Sequence, residues 1–268
     1  MLKQLLHFDT VDGIQSYDPI LKNYHCYNTK LNINKPLTNI KEISLKSLEM
    51  PLFFNNIRSA NNSNLFIFNF TYNLFNNISI GLTIPESNYI SISSLLSALN
   101  NKINISLALY SGVNISLTLT NTYYITINHN CSLLTLGKSI LINNILGFNT
   151  GDYTTATITA TNFYCLNVDN YINFYITNLN SGSDTNVNGR LLTFKIPLNA
   201  VNGQILYLGE SNTFIQTISI TDPFYVFNSM NLMILDRFGF PINGGNAHFS
   251  FTLGISYDKQ TERLKFNR

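Results

Sequence analysis

Tryptophan is absent from this 268-residue chain, and charge is scarce: Asp, Glu, Lys and Arg together make up 11%, against roughly 25% in an ordinary soluble domain. Hydrophobic residues are 45% of the chain, so a core is easily supplied. Intrinsic disorder needs the opposite balance and is excluded. The missing charge is replaced by Asn, Ser and Thr, which lose less on desolvation than Lys or Glu. A surface of that kind can be buried against neighbours without stranding ions, which points to an assembly subunit. An AT-rich gene would give a similar bias, though with more Lys. The net charge of +2 provides no general basic field for nucleic acid. The cations are uneven, however. Lys3, Lys22, Lys30, Lys35, Lys41 and Lys46 lie early, and Arg263, Lys265 and Arg268 lie at the end. Contact between these basic termini and nucleic acid is therefore a minor option.

Other scarcities narrow the function further. There are three cysteines, Cys26, Cys131 and Cys165, without CxxC spacing; free thiols in a reducing compartment are expected. The opening Met1-Leu2-Lys3-Gln4-Leu5-Leu6-His7 turns polar too soon for a signal peptide. No apolar run approaches the ~20 residues of a membrane-spanning helix. The four histidines, His7, His25, His129 and His248, are scattered. None falls in HExxH or HxH context, and a metal-binding jelly roll would need clustered His and Glu. His248 is read as a structural strand residue. There is no GxSxG and no phosphate loop; Gly244-Gly245 precedes no helix. Asp222 and Asp236 sit at turns, where an Asx cap is the ordinary role. No catalytic, cofactor-binding or metal-binding residue is assigned, and no enzymatic activity is expected.

What the chain does contain is a series of short alternating runs. Phe66, Phe68 and Phe70 share one face of a strand over 65–72, with Leu65 and Ile67 on the other. A partner is expected over 78–84. Ile172, Phe174 and Ile176 alternate with Asn173, Tyr175 and Thr177. Further strands are expected over 24–33 (ended by Lys35-Pro36), 40–50, 191–197, 205–208 and 214–220, with two or three between 103 and 128. Ile92, Leu95, Leu96 and Leu99 follow helical spacing after Ser91, a suitable N-cap, and Asn100-Asn101 weaken the end. Ser139 to Leu146 reads as one or two helical turns closed by Gly147. Met230, Leu232 and Ile234, and then Phe249, Phe251, Leu253 and Ile255, form a last alternating pair, expected as a long hairpin closing one sheet. Ten to twelve short strands with one or two short helices give an all-β, jelly-roll-like β-sandwich. The expected organisation is an N-terminal arm over 1–23, the sandwich over 24–257 and a basic tail over 258–268.

Four stretches resemble a known family. Ile43-Ser44-Leu45-Lys46-Ser47-Leu48-Glu49-Met50-Pro51-Leu52-Phe53-Phe54-Asn55-Asn56-Ile57 is similar to S-x-E-x-P-x-x-F-x-N-I. Leu82-Thr83-Ile84-Pro85-Glu86-Ser87-Asn88-Tyr89, with Leu95 to Asn100 after it, is similar to I-T-I-P-x-G-N-Y-T then L-x-x-x-L-N, with Ser87 standing where Gly is common. Ile145-Leu146-Gly147-Phe148 and the closing strand pair complete the series. In this order they resemble capsid proteins of large eukaryotic DNA viruses, virophages and polinton-like viruses. The resemblance implies a structural virion protein, a minor capsid or penton subunit. It would be assembled in the host cell interior into an icosahedral shell, as a homo-oligomer (pentamer before trimer), beside a major capsid protein. The arm and the loops 180–189 and 236–246 are the expected contact segments. The alternative is a β-sandwich receptor- or glycan-binding head of a virion fibre, reading its ligand through exposed tyrosines such as Tyr153.

Overall fold

The computed structural model describes residues 2–18, 23–52, 55–72, 76–120, 123–167, 169–176, 186–187, 190–191, 194–200, 203–209, 217–220, 226–242, 244 and 247–258. It divides into two compact units, one formed by 1–54 with 169–268, the other by 55–168.

The first unit is a sandwich of two antiparallel sheets. One contains β1 (Leu2–Asp9), β19 (Ser250–Tyr257), β4 (Ile40–Pro51) and β16 (Ile205–Leu208), in that order, with β17 (Thr217–Ser219) farther along the same edge of β4. The other runs β15 (Phe194–Pro197), β12 (Tyr171–Ile176), β18 (Val226–Leu235), β3 (Asn23–Thr38), β2 (Ile14–Asp18). With β2 set aside as an added antiparallel strand on the outer edge of β3, and β17 grouped with β16 on one edge of β4, eight strands remain. Ranked along the chain, they are ordered 1-8-3-6 in one sheet and 5-4-7-2 in the other. This is the jelly-roll order, two Greek keys wound into facing sheets.

Its core is built from one face of each strand. Ile43, Leu45, Leu48 and Met50 of β4, with Phe251, Leu253 and Ile255 of β19, meet Phe174 and Ile176 of β12 and Met230, Leu232 and Ile234 of β18. Phe174 is fully buried and stands at the centre, its ring 5.0 Å from Phe251, 6.1 Å from Phe249 and 6.1 Å from Phe194.

Several expectations are corrected here. The segment 1–23 is not a free arm: β1 pairs with β19 along its whole length, from Leu2 opposite Tyr257 to Asp9 opposite Ser250. Thr10, fully buried, then ties the following turn to Phe249 through Thr10 N–H to Phe249 O (3.0 Å) and Phe249 N–H to Thr10 Oγ1 (2.9 Å). The last two strands do not form a hairpin. β18 and β19 lie in opposite sheets, because alternation marks a buried face but not a partner. Pro36 does not end β3; it falls where the register against β18 jumps, between Leu37 opposite Phe227 and Asn32 opposite Ser229. There the ladder needs no donor, a setting that tolerates proline. The sandwich is not continuous over 24–257, since 55–168 forms the second unit between β4 and β12. The basic tail, apart from Asp258, lies outside the described residues.

The second unit has two small antiparallel sheets. The first runs β10 (Gly151–Tyr153), β9 (Leu134–Leu136), β5 (Leu65–Tyr72), β6 (Asn76–Thr83), and the second β11 (Thr157–Thr159), β8 (Ile125–His129), β7 (Ile115–Leu119). Phe66, Phe68 and Phe70 are buried in a row on β5, as their spacing predicts. The helix α1 (Ile92–Leu107) starts at Ser91, whose Oγ accepts from Ser94 N–H. It does not stop at Asn100. The apolar stripe continues through Ile103 and Leu107, and the Asn100 amide is occupied elsewhere: its Nδ2 donates to Leu117 O and its Oδ1 accepts from Leu117 N–H, both at 2.8 Å. A side chain thus imitates a strand and satisfies backbone groups of β7, an edge strand among the described ones. Residues 141–145 form a π-helical turn, and Gly147 follows with φ of 82°.

Phe174→Ala should lower the stability of the first unit by about 3–5 kcal/mol, whereas Val226→Ala, at an exposed position, should change it by less than about 0.5 kcal/mol. Urea titration followed by tyrosine fluorescence or circular dichroism measures both; equal effects would show that Phe174 is not central to the core.

Candidate interaction surfaces

Among the described residues, the histidine side chains are not brought together. His7 Nδ1 shares a hydrogen bond with Thr252 Oγ1 at 2.8 Å across the β1–β19 pair. His248 lies just before β19 rather than within a strand, with Nδ1 3.4 Å from Thr10 Oγ1. The side chain of His25 lies outside the described residues. His129 is buried in β8, with neither ring nitrogen in hydrogen-bonding geometry. Burial pushes its pKa down; the backbone at Cys131 and Thr155 acts in the opposite direction and is outweighed. Among the described residues no group of three or more His, Cys, Asp or Glu could hold a metal ion. Cys131 and Cys165 are free thiols.

The expected contact segments separate. In the loop 236–246, Asp236 is buried and acts as the expected turn cap. Its Oδ1 accepts from Phe238 N–H and Phe240 N–H, each at 2.9 Å, and its backbone N–H donates to Phe240 O at 2.8 Å. Gly239, with φ of 84°, makes this tight reversal possible. Asn173, itself fully buried, donates from Nδ2 to Asp236 O at 2.8 Å. This end of the loop is anchored to the sandwich. Of the loop 180–189, only β13 (Asn186–Val187) is described, paired with β14 (Arg190–Leu191). Asp222 lies outside the described residues.

Exposed apolar side chains stand elsewhere. Around β1 and the turn after it, Leu5, Val11 and Ile14 are each more than half exposed. On the second unit, Ile90 and Leu109 are almost fully exposed, and the tilted rings of Tyr123 and Phe163 lie 5.5 Å apart, both residues more than half exposed. Tyr153, by contrast, is half-buried, and its hydroxyl donates to Asn149 O at 2.8 Å. A groove of about 900 Å³ opens between β1 and residues 31–38 of β3. Its walls carry the half-buried Leu6, Phe8, Ile33 and Leu37, which flank the core instead of being sealed within it.

The stretches quoted for the family resemblance meet in space where they lie within one unit. Asn56 and Tyr89 exchange two hydrogen bonds, Asn56 Nδ2 to Tyr89 O and Tyr89 N–H to Asn56 Oδ1, both at 2.9 Å. Beside them Ile57 and Ser87 form a β-bridge, and Glu86 Oε1 accepts from Ser59 N–H at 2.9 Å. Gly147 is required twice over: by its positive φ, and because a Cβ there would stand 2.3 Å from Asn162 O. These residues therefore shape the chain path.

Sheet order and chain path thus define a single jelly roll interrupted by a second unit. No protein-family model matches the sequence, and no curated protein does. Among solved structures, the chain is similar to the mavirus penton protein, at TM-score 0.46 and 8% identity over 95% of this chain and 100% of that one. It is also similar to a chain in the cryo-EM structure of the Sputnik virophage, at TM-score 0.34 and 10% identity over 94% and 98% of the two chains.

Asn56→Ala removes the partners of the half-buried Tyr89 N–H and C=O, and should cost about 1–3 kcal/mol in all; a thermal melt unchanged from the parent would show that the pair is dispensable. The depressed pKa of His129 also has a pH signature. The unfolded chain binds a proton at about pH 6.5 that the folded one resists, so stability falls as pH drops through that value toward the folded pKa. His129→Leu should flatten the melting temperature between pH 7.5 and 5 relative to the parent; parallel profiles would remove His129 as a cause.

Proposed function

We propose that this protein is a structural virion component, a minor capsid or penton subunit that builds an icosahedral shell through subunit–subunit contacts. The observation that carries the reading is the jelly-roll sheet order, which viral capsid proteins share with lectin domains and cupins. The cupin route needs converging metal ligands, and the described residues offer no such group. The resemblance to capsid proteins, borne by stretches that here define the chain path, favours the virion over the lectin. So does a surface poor in charge and set with exposed Leu5, Val11, Ile14, Ile90 and Leu109, because burying it against neighbours strands few ions.

The mechanism is assembly, and no chemical step is required. A closed ring needs heterologous interfaces whose rotation closes; the favoured ring is a pentamer, next to a major capsid protein in the particle. A second reading, a receptor- or glycan-binding head, draws on the open pair Tyr123 and Phe163, joined by Tyr124 at 4.9 Å from Phe163. Flat exposed rings of this kind suit stacking against apolar faces of a ligand.

Light scattering of the purified protein at several salt concentrations should give a discrete oligomer, with five copies supporting a penton and three a different minor component. A strict monomer that is also missing from purified particles would overturn the proposal. Glycan binding abolished by Tyr123→Ala would move the assignment to the second reading.

A further inference from the structure

Strand β1 is the terminal strand of its sheet among the described strands, so one row of its backbone N–H and C=O groups has no ladder partner there. Along that edge runs the groove of about 900 Å³ whose apolar wall is formed by Leu6, Phe8, Ile33 and Leu37. An unpaired strand edge above an unsealed apolar trough is the geometry that accepts an added strand. Backbone groups supply affinity, and pockets below take alternate side chains.

The charge of the groove indicates what would fit. Its lining holds three carboxylates, Asp9, Asp12 and Asp258, against one ammonium, Lys35; Asp258 also stands 3.5 Å from Lys41 at an exposed ion pair. The sequence continues from Asp258 as Lys259-Gln260-Thr261-Glu262-Arg263-Leu264-Lys265-Phe266-Asn267-Arg268. This segment has four cations and one carboxylate, with Leu264 and Phe266 two residues apart and alternating with Arg263 and Lys265. On an extended strand that spacing places both apolar side chains on one face.

We infer that the edge of β1 and its groove receive the basic segment 259–268 of a second copy of this chain, as an added strand. A second copy suits the topology better than the segment's own subunit. Tyr257 is paired with Leu2, so in its own subunit the segment would have to reverse across the end of β1 before reaching the free edge. The segment of a neighbour enters without that turn. The inference rests on the reading of a self-assembling subunit and names the contact by which copies engage.

A reciprocal charge exchange in the full-length chain tests it. One variant makes the groove basic, Gln4→Lys with Asp12→Lys, leaving Asp9 to cap the turn after β1 through Val11 N–H. The other makes the segment acidic, Arg263→Glu with Lys265→Glu. Each alone should self-associate at least about tenfold more weakly than the parent, since like charges now face each other. An equimolar mixture should recover association, because each groove then meets a segment of opposite charge. Raising the salt should weaken the parent and the mixture alike. Melting temperatures close to the parent confirm folding; should the groove variant fail to fold, the segment variant still decides. Self-association of the segment variant equal to the parent's would overturn the inference while leaving the subunit reading in place. So would a mixture no better than its parts. A parent chain that stays monomeric also overturns it, and the subunit reading is then judged separately, by whether the protein is found in purified particles.

Discussion

The first unit depends on the placement of β19. This last strand pairs on one edge with β1 and on the other with β4, and it is buried over its whole interior, from Phe251 to Ser256. The sheet cannot form without it, and Phe251 is the residue through which that sheet meets Phe174 of the opposite one. The native topology is therefore completed only when the two ends of the chain meet. That requirement is dominated by long-range contact, which slows folding more than it weakens the product. The cost of closing a loop rises only with the logarithm of its length. This is why a whole second unit can be carried between β4 and β12 without abolishing the closure. The same logarithm explains how the fold tolerates joining Leu2 to Tyr257 at all.

The Asn56–Tyr89 exchange and the positive φ of Gly147 do comparable work in the second unit. Each fixes a path between elements, not an element itself. Strands and helices of this chain are specified by apolar spacing, but the crossings between them are specified by single polar or glycine residues whose neighbours are remote in sequence. Asn100 shows the economy of the arrangement. An amide that weakens a helix end on propensity instead serves the backbone of β7, and the helix continues because Ile103 and Leu107 keep the stripe buried.

Much of the architecture was legible in the sequence, for identifiable reasons. Alternation located β5, β12, β18 and β19, and the 3.6-residue stripe located α1, because each of these elements buries one face. Partners were not legible, since a buried face is the same whichever strand lies beside it; hence β18 and β19 looked like a hairpin when they belong to facing sheets. β1 does not stand out in the sequence although Gln4, Leu6 and Phe8 keep a period of two, because the exposed Leu5 breaks the polar half of the pattern. That Leu5 is itself part of the open surface beside the groove, so the departure from pattern falls on a candidate contact. The boundary of the second unit has only a weak trace in the sequence: charge thins out across it, residues 55–168 holding Arg58, Glu86, Lys102, Lys138 and Asp152 as their only charged side chains, but the strand spacing continues unchanged. The turn role of Asp236 was legible from Asp and Gly alone, whereas its anchoring by Asn173 required the fold.

Surface chemistry links these observations to association. Where most of a surface is Asn, Ser, Thr and isolated apolar side chains, interfaces form with little ionic desolvation, and they discriminate poorly between partners and registers. Charge complementarity adds little net affinity at exposed positions but does set specificity and approach. In a chain with only 11% charged residues, a local concentration of sign is therefore informative out of proportion to its energy. Asp9, Asp12 and Asp258 around one groove, and four cations within residues 259–268, are such concentrations of opposite sign on a nearly neutral background. Hydrophobic burial through Leu6, Phe8, Ile33 and Leu37 would supply most of the affinity at that edge. The carboxylates would choose which segment is admitted, and so prevent an open strand edge from pairing indiscriminately with any other.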